Sequence, residues 1–352
     1  MILMSKRILA TACAAATALA LSACSPSAST GGKTSTDGTL TIMASFYPLK
    51  YLAEKVGGEH VTVTSLTPDG AEPHDLELSP KMVDSLASAD AVVYLAGFQG
   101  AVDEAIEQHA PKTVIDVSSA AQLVAIDSTS NHPGEDEGTD EAQSGEAQSG
   151  EAADHDHEHA DGDHEHADHD HADHDHHHHD MSMDPHFWLD PARMANAATL
   201  VGDKLAEADP TNAETYKANA KALNEELTSL GDDLVAKTST CQIKTFVTAH
   251  TAFGYLADRT GLTQVGISGL DPESSPSPAR LAEIGKIAKD QGVTTIFTEA
   301  LIDPKVAQTL ADDLGISTAV LDPIESQTDS SKDYAAVMND NIDALTKANN
   351  CQ

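Results

Sequence analysis

The sequence predicts an α/β protein of two βα lobes with mainly parallel sheets, joined by one long linker helix, with a metal site in the interlobe cleft. Three observations lead to this prediction. Short β-branched segments alternate with helical segments in two separate blocks, a pattern typical of βαβ units and parallel sheets. A single long amphipathic segment separates the two blocks. Residue types that bind metals follow several of the predicted strands.

The first block, residues 39–209, is the predicted N-terminal lobe. Its strands are the stretches TLTIMASF, VTVTSLTP, DAVVYLAG and TVIDV, which are rich in β-branched and apolar residues. Between the first two strands, PLKYLAEKVGG has apolar residues at helical spacing and ends at two glycines. SPKMVDSLASA predicts a helix with Ser79 as its N-cap and Pro80 at its first position. DPARMANAATLVGDKLAEA predicts a further helix at the end of the lobe.

Residues 128–182 interrupt this lobe with an insertion that we predict to be disordered. Between Ser128 and Asp180, Pro, Gly, Ser, Gln, His and acidic residues dominate, and large apolar residues are absent. Such a segment buries too little apolar surface to offset the entropy lost on ordering. The insertion also concentrates negative charge, because Lys and Arg are missing from it.

The predicted linker helix covers residues 210–238 and begins at an Asp-Pro pair. Its apolar residues share one stripe, and a helix of this length spans roughly 40 Å. Residues 239–352 form the predicted C-terminal lobe. Its strands are IKTFVTA, TQVGIS, TTIFTEA and STAVLD, and its helices are ARLAEIGKIAKDQG, PKVAQTLADDLG and DYAAVMNDNIDALTKA. This second alternation predicts a second parallel sheet.

Residues 1–23 are typical of a lipoprotein signal peptide. Two basic residues precede an apolar run that is too short to span a bilayer. The run ends in LSAC, which resembles a lipobox and predicts cleavage before Cys24 and lipidation of that cysteine. Ordinary signal cleavage that leaves a free Cys24 is the alternative. Residues 24–38 then form a flexible tether, so we expect an exported protein, lipid-anchored on the outer face of the cell membrane.

Composition restricts the partners and the redox state of the chain. A formal net charge of −37 argues against nucleic acid, because its phosphates require Lys and Arg. Cys13 lies in the predicted signal peptide, so Cys241 and Cys351 remain as a pair in an oxidising compartment. A disulfide between them would close a loop of about 110 residues and stabilise the fold by about 4–5 kcal/mol. Two free thiols are the alternative.

Three histidines outside the low-complexity insertion have positions suited to a metal site. His74 follows a predicted strand, His250 ends another, and Asp322 ends the last predicted strand. Ligands bind beyond the carboxyl ends of strands in open α/β sheets, so these residues are expected at the cleft. Together with His186, which follows the insertion, they supply the imidazoles and the carboxylate that a tetrahedral zinc site accepts.

Five motifs carry a specific resemblance to a known family. They are PDGAEPHDLELSP, DPHFWLDP, TAHTAFGYLA, FTEALIDPKVAQTLADDLG and VLDP. From about Thr39 to the C-terminus, the chain resembles the metal-binding proteins of bacterial zinc and manganese ABC importers, the cluster A-I solute-binding proteins. A His- and acid-rich loop before DPHFWLDP and a lipoprotein leader are typical of the zinc-uptake branch.

The resemblance implies a set of metal ligands. His74, His186 and His250 are implied ligands, with Asp322 as the fourth. Glu72 is a weaker candidate, because related proteins that carry an acidic ligand here have it directly before the first histidine. The manganese branch tends to have Glu where His250 stands, so nitrogen at this position favours Zn²⁺.

The same resemblance implies a supporting role for four further residues. Glu299 matches a family Glu near the cleft and is expected behind the ligands or in a structural role. Asp184, Trp188 and Asp190 are expected to orient and shield His186, as groups behind metal ligands commonly do. Turn formation and core packing are the alternative roles of these three residues.

These observations predict a receptor and not an enzyme. We expect a monomeric, extracytoplasmic, high-affinity zinc-binding receptor that captures Zn²⁺ and delivers it to the permease and ATPase of an ABC importer. The alternatives are a metal-binding surface adhesin, a passive zinc buffer, a manganese receptor and a zinc hydrolase. The hydrolase is disfavoured because the sequence has no HExxH motif and no nucleophile elbow.

The tract HDHEHADGDHEHADHDHADHDHHHH within the insertion predicts an auxiliary metal-binding loop. Dense His and acidic residues bind divalent ions, but a disordered tract has no fixed geometry that selects one ion. We expect a weaker collector of several ions that senses metal or feeds the cleft; a solvated linker is the alternative. Its histidines are His155, His157, His159, His164, His166, His169, His171, His174, His176, His177, His178 and His179.

Overall fold

The computed structural model describes residues 38–109, 111–126 and 182–352. These residues form two sheets, and the first sheet is built from residues near the start of the chain. The elements around this sheet are β1 (Leu40–Ala44), α1 (Tyr47–Gly57), β2 (Val61–Ser65), α2 (Pro80–Ser88), β3 (Ala91–Tyr94), α3 (Gly100–His109), β4 (Thr113–Asp116) and α4 (Ser118–Ala121). The four strands are all parallel, in the order β2-β1-β3-β4. β1 is central, and it pairs Leu40 with Val61 on one side and Ile42 with Ala91 on the other.

Two long helices follow the first sheet, α5 (Pro191–Ala208) and α6 (Ala213–Thr238). α6 is the predicted linker helix, and its 26 residues span about 39 Å. One stripe of α6 is buried, as its apolar spacing predicts. The two helices pack so closely that a Cβ atom added at Gly202 of α5 would collide with the Cβ of Ala220 in α6. Gly202 is therefore required by the close approach of the helices.

The second sheet is built in the same way as the first. Its elements are β5 (Thr245–Thr248), α7 (Gly254–Thr260), β6 (Thr263–Gly266), α8 (Pro278–Gln291), β7 (Thr295–Thr298), α9 (Lys305–Leu314), β8 (Ser317–Val320) and α10 (Tyr334–Ala348). The strands are again all parallel, in the order β6-β5-β7-β8. This topology confirms the predicted fold class of two parallel-sheet lobes.

The largest apolar cluster joins the two lobes. It contains Phe46 and Leu52 beside the first sheet, Leu227 of α6, and Tyr255 and Tyr334 beside the second sheet. Residues 39–352 accordingly form one compact unit. The residues of the candidate metal centre described below therefore rest on one continuous core.

Three helices were not predicted from the sequence: α4, which has only four residues, and the longer helices α3 and α7. α7 has only seven residues, about two turns, so a helical period has too few positions in which to appear. α3 begins at Gly100, and its buried residues, Val102, Ala105 and Ile106, alternate with acidic ones. Both helices flank segments that contribute to the metal-binding region.

The ends of the predicted insertion lie next to each other. Ala125 and Met183 form an isolated antiparallel bridge, and the N–H of Asp184 donates to the carbonyl oxygen of Val124 at 2.9 Å. The histidine tract, the predicted signal peptide and Cys24 lie outside the described residues. The described residues that flank the insertion therefore meet directly before His186.

Two further observations concern the C-terminal half and the helices. The sulfur atoms of Cys241, just after α6, and Cys351, next to the C-terminus, lie at bonding distance. Within the described ranges, every helix is too short or too polar to cross a lipid bilayer.

Candidate metal centre

Four potential metal ligands that are far apart in the sequence converge between the lobes: His74, His186, His250 and Glu325. His74 lies in the loop after β2, His250 follows β5, and Glu325 lies in the loop after β8. Three of the four thus follow the carboxyl ends of parallel strands, where α/β sheets collect ligands. His186 reaches the same place from the segment before a 3-10 helix, Phe187–Leu189.

Four of the six separations between the ligand atoms match a tetrahedral zinc site, and all four atoms lie within 4.8 Å of one another. Glu325 Oε1 lies 3.4 Å from Nε2 of His186 and of His250, and 3.5 Å from Nε2 of His74. The Nε2 atoms of His74 and His186 are 3.3 Å apart. Zinc bonds of about 2.0–2.1 Å place tetrahedral ligands about 3.3–3.4 Å from one another. These four separations therefore fit zinc with little rearrangement.

The cluster is almost completely buried. The side chains of His186 and His250 have no exposed surface, and 6% of His74 and 1% of Glu325 are exposed. Among the described residues, His250 Nε2 and both Glu325 oxygens are buried without a hydrogen-bond partner. An unpaired buried polar group costs about 1–3 kcal/mol. A cation coordinated by these atoms would remove that cost.

Two carboxylates fix the orientation of two histidines. Asp184 Oδ1 accepts the backbone N–H of His186 at 2.9 Å and its Nδ1–H at 2.8 Å. Glu299 Oε1 accepts the backbone N–H of His250 at 3.1 Å and its Nδ1–H at 2.7 Å. With the proton held on Nδ1, the Nε2 lone pair of each ring faces the cluster. Such carboxylate–histidine pairs are the usual support of metal-binding imidazoles.

The same carboxylates determine the protonation of the imidazoles. Burial alone lowers the pKa of His186 and His250, but Asp184 and Glu299 oppose it and raise both pKa values above 6.5, that of His250 well above. Burial dominates at His74 and lowers its pKa. The centre therefore carries protons that a metal ion must displace.

Glu325 is the charged ligand of the group. Burial opposes its ionisation, but contacts with the three imidazoles hold its pKa well below 4.5. Its carboxylate is consequently ionised when a metal ion arrives. One negative oxygen and three nitrogens form a donor set that suits Zn²⁺.

The loop that carries His74 is held from three sides. Glu72 Oε1 accepts the backbone N–H of His74 at 3.1 Å. Gln99 Nε2 donates to the carbonyl oxygen of Pro73 at 3.0 Å, and the Gly70 N–H donates to Ser326 Oγ at 2.7 Å. The last bond joins this loop to the loop of Glu325. The positions of two ligands from different lobes are thus linked.

Glu72 lies outside the four-residue cluster, although it neighbours it. Its pKa is raised to about 8, first by burial and then by the charge of Glu325. Its Oε2 atom is buried with no hydrogen-bond partner among the described residues. The structure places Glu72 against the His74 backbone and not among the converging ligand atoms.

Trp188 and Asp190 differ in their relation to His186. The fully buried Trp188 ring lies 5.2 Å from the His186 ring, and its Nε1–H donates to Pro323 O at 2.7 Å. Trp188 therefore packs beside His186 and links it to the loop of Glu325. Asp190 instead caps α5 and pairs with Arg259 at 3.4 Å.

The fourth residue of the cluster is Glu325 rather than the expected Asp322. Asp322 Oδ1 accepts the backbone N–H of Ile324 at 2.8 Å, and its own backbone is bonded to the Asn341 side chain. Ile324 has a φ of 58°, an unusual value for a β-branched residue. This turn uses the Asp322 carboxylate locally and directs Glu325 into the cleft. Asp322 lies at the end of the strand pattern, whereas Glu325 lies three residues later, beyond a turn that the residue pattern does not mark.

The chain is similar to known zinc-binding and zinc-uptake proteins. The family described as "ZnuA: Zinc-uptake complex component A periplasmic" matches residues 42–348. The chain is 33% identical over 314 residues to the zinc-binding protein AdcA of Streptococcus pyogenes serotype M3 (strain ATCC BAA-595 / MGAS315), covering 88% of this chain and 56% of AdcA. It is 32% identical over 340 residues to the high-affinity zinc uptake system protein ZnuA of Bacillus subtilis (strain 168), covering 94% of both chains.

A solved structure shows the same fold. The laminin-binding protein Lmb of Streptococcus agalactiae, described as a bifunctional protein with adhesin and metal transporting activity, matches with a TM-score of 0.68 and 27% identity. The match covers 88% of this chain and 99% of Lmb. The chain thus spans nearly all of Lmb and of the Bacillus relative, but little more than half of AdcA.

Proposed function

Because the chain belongs to the family of zinc-uptake complex component A periplasmic proteins, we propose that it is an extracytoplasmic receptor that captures Zn²⁺ and delivers it to an ABC permease and its ATPase. The convergence of three imidazole nitrogens and one carboxylate oxygen at tetrahedral spacing is the observation that most supports this proposal. Zinc is the cargo in this scheme, and the chain acts as a monomer.

The proposed ligands are His74, His186, His250 and Glu325. Three nitrogen donors favour Zn²⁺ over Mn²⁺, which prefers oxygen. Behind the ligands, Asp184 and Glu299 add two negative charges that support a divalent cation through the imidazoles. Glu325 replaces Asp322 as the fourth proposed ligand.

A receptor fits this donor set better than a catalyst. Four protein ligands complete the tetrahedral shell of zinc, whereas catalytic zinc sites keep a position for water or substrate. The family likewise consists of uptake components rather than enzymes. A zinc hydrolase would require one of the four ligands to leave the metal.

The proposal includes the processing and anchoring of the chain. Residues 1–23 act as the signal peptide, Cys24 carries the lipid, and residues 24–38 form the tether at the outer face of the cell membrane. The lobes comprise residues 39–209 and 239–352, with the linker helix at 210–238. A disulfide joins Cys241 to Cys351, supported by the bonding distance between their sulfur atoms.

The histidine tract has an accessory part in this scheme. Its alternating His and acidic residues provide many donors in no fixed arrangement, so it collects zinc weakly for the cleft. Deleting residues 132–180 is expected to leave one tight zinc site and to lower the total number of bound ions. Loss of the tight site on deletion would contradict this division.

Competition titration with a zinc chelator tests the receptor function. Wild-type protein is expected to hold one zinc ion tightly, and His186→Ala is expected to weaken that binding by at least about 100-fold, since a buried ligand and its supporting carboxylate are separated. His109→Ala, at the exposed end of α3, is the matched control. Equal affinities of the three proteins would refute the proposed site.

Adhesion is a second candidate, because Lmb combines adhesin and metal transporting activity on the same fold. Zinc-loaded protein would then bind immobilised laminin in a saturable manner, and the His186→Ala variant would show whether this requires the metal. Absence of saturable binding would leave zinc uptake as the single proposal.

A further inference from the structure

A cavity lies beside the metal centre, on the side of the C-terminal lobe, and is lined by chain neighbours of two proposed ligands. Its volume is about 360 Å³, and it is lined by residues from the loops after β6 and β7, among them Ser268, Ser275 and Ile302. Its lining also includes Glu72 and Ala249. Ala249 directly precedes His250, and Glu72 lies two residues before His74, so the cavity approaches two of the proposed ligands.

A zinc ion needs such a route because the centre itself is closed. At most 6% of any of the four side chains is exposed, which is too little to admit a hydrated ion directly. The cavity is wide enough to hold several water molecules, each of which occupies about 30 Å³ in the liquid. A partly hydrated cation therefore has space within about one residue of the ligands.

One carboxylate in the cavity lining has an unused oxygen. Glu72 Oε1 is engaged by the His74 backbone N–H, but Oε2 is buried and has no hydrogen-bond partner among the described residues. The other acidic residues of the lining differ: Asp303 pairs with Lys305 at 2.6 Å, and Glu273 is exposed. Glu72 is thus the acidic residue of the lining whose buried oxygen is available to a cation.

We propose that this cavity is the path of zinc to and from the centre, and that Glu72 Oε2 is a transfer ligand that binds the ion briefly before His74 Nε2 does. The inference rests on the proposed zinc-receptor function. At each step one bound water leaves and one protein atom takes its place, so the ion is never without ligands. The hydrogen bond from Glu72 to the His74 backbone keeps the two donors together during the exchange.

A transfer ligand has a kinetic signature that an equilibrium ligand lacks. It assists the ion in both directions, so its loss slows binding and release together and changes Kd little. Loss of an equilibrium ligand mainly raises the release rate and weakens Kd. A negative group that focuses a cation into a cleft raises association rates by about 10-fold or more.

Stopped-flow fluorescence of Trp188 in the full chain tests the proposal. Trp188 is the single tryptophan, and its ring lies 5.2 Å from the His186 ring, so it reports zinc in the cleft rather than in the tract. The rates are measured at about pH 9, above the pKa of about 8 that burial gives Glu72, so that Glu72→Gln keeps an oxygen for the His74 N–H and removes a negative charge. We expect zinc binding and chelator-driven release both to slow by about tenfold, with Kd changed less than about threefold.

Two further variants test the charge of Glu72 and the width of the cavity separately. Glu77→Gln removes the same charge from an exposed position of the same loop and is expected to bind zinc at the wild-type rate. Ser275→Phe narrows the cavity without touching Glu72 and is expected to slow binding and release at unchanged Kd. Thermal unfolding of each variant shows whether it is folded before its rates are compared.

The outcomes distinguish the two levels of the proposal. If wild-type protein binds no zinc in the cleft, the receptor function fails. If zinc binds tightly but Glu72→Gln has the rates of wild type or of Glu77→Gln, only the transfer role is overturned. A weakened Kd with an unchanged association rate would identify Glu72 as an equilibrium ligand or a support of His74. Unchanged rates in Ser275→Phe would overturn the path.

Discussion

Glu299 accepts two hydrogen bonds from His250, one from its backbone N–H at 3.1 Å and one from Nδ1 at 2.7 Å. Asp184 makes the same pair of bonds to His186, at 2.9 and 2.8 Å. Each carboxylate therefore fixes the position of the chain and the tautomer of the ring with a single oxygen. Of the two histidines held in this way, His186 precedes the linker helix and His250 follows it. Each is therefore held in position by its own carboxylate, one on either side of the helix.

We expect Glu299→Gln to weaken zinc binding by about 10–100-fold. The amide oxygen can still accept both hydrogen bonds, but it lacks the charge that makes His250 a strong donor. Competition titration measures the effect. Glu107→Gln, on the exposed face of α3, is the control. Equal affinities of these two variants would show that Glu299 does not tune the metal.

Comparison of Glu325→Gln with Asp322→Asn tests which of these two neighbouring carboxylates binds zinc. Glu325 Oε1 lies within 3.5 Å of three histidine Nε2 atoms, so we expect its substitution to weaken zinc binding by at least about 100-fold. The Asp322 carboxylate stabilises a turn, so Asp322→Asn is expected to weaken zinc binding by less than about tenfold. Chelator competition at one pH compares them. A larger loss of zinc affinity in Asp322→Asn than in Glu325→Gln would identify Asp322 as the ligand.

The choice between these two carboxylates marks the limit of what the sequence predicts. Strand alternation placed His74 after a strand and His250 at a strand end, and the structure has His74 in the loop after β2 and His250 two residues after β5, because strand positions are set by local patterns. Glu325 depends on a turn in which Ile324 adopts a φ of 58° and Trp188 donates to Pro323. That turn is imposed by tertiary contacts, so a residue pattern does not reveal it.

The position of His186 likewise does not follow from local sequence patterns. No strand precedes it, and its position follows from the bridge between Ala125 and Met183, which closes the insertion. Only the resemblance to a family implied its role. The hydrogen bond from the Asp184 N–H to the carbonyl oxygen of Val124 holds this segment at the start of the insertion, two residues before His186.

Zinc affinity is expected to increase with pH beyond the ordinary histidine value of 6.5. The pKa of His250 is raised well above 6.5, because Glu299 and Glu325 outweigh the effect of burial. Its imidazole is therefore protonated in the metal-free centre at and below this pH, and zinc must displace the proton. A falling pH thus weakens binding, and a rising pH strengthens it until His250 has titrated.

Trp188 fluorescence titrations between about pH 6 and 9 test this pH dependence. Calorimetry in buffers of different ionisation enthalpy counts the protons released with the cleft zinc. Glu299→Gln removes the charge that raises the His250 pKa, so the variant should reach its limiting affinity at a lower pH. A wild-type profile that is flat above pH 6.5 would contradict the assignment.

The proposed Cys241–Cys351 bridge is expected to stabilise the fold by about 4 kcal/mol, because it closes a loop of 110 residues in the unfolded chain. Urea denaturation of wild type and of the Cys241→Ser/Cys351→Ser variant measures this difference. Alkylation provides an independent check, since both thiols should react only after reduction. Two thiols that react in the unreduced, unfolded protein would exclude the bridge.

The same substitution at two helical glycines is expected to have opposite effects on stability. At Gly202 a Cβ atom would collide with Ala220, so Gly202→Ala must separate α5 from α6 and should lower the free energy of unfolding by about 1–3 kcal/mol. At Gly285 of α8 the nearest atom to an added Cβ is Leu314 Cδ2 at 3.5 Å, an ordinary contact.

Gly285→Ala should therefore raise the free energy of unfolding by about 0.5–1 kcal/mol, because alanine loses less backbone entropy in a helix. Urea denaturation midpoints at equal slope compare the two variants. Zinc affinity serves as a second readout. α5 begins five residues after His186, so a shift of α5 in Gly202→Ala should also weaken zinc binding, whereas Gly285→Ala should leave it unchanged. If Gly202→Ala were as stable as wild type, the close contact of α5 and α6 would not be what holds the two helices in register.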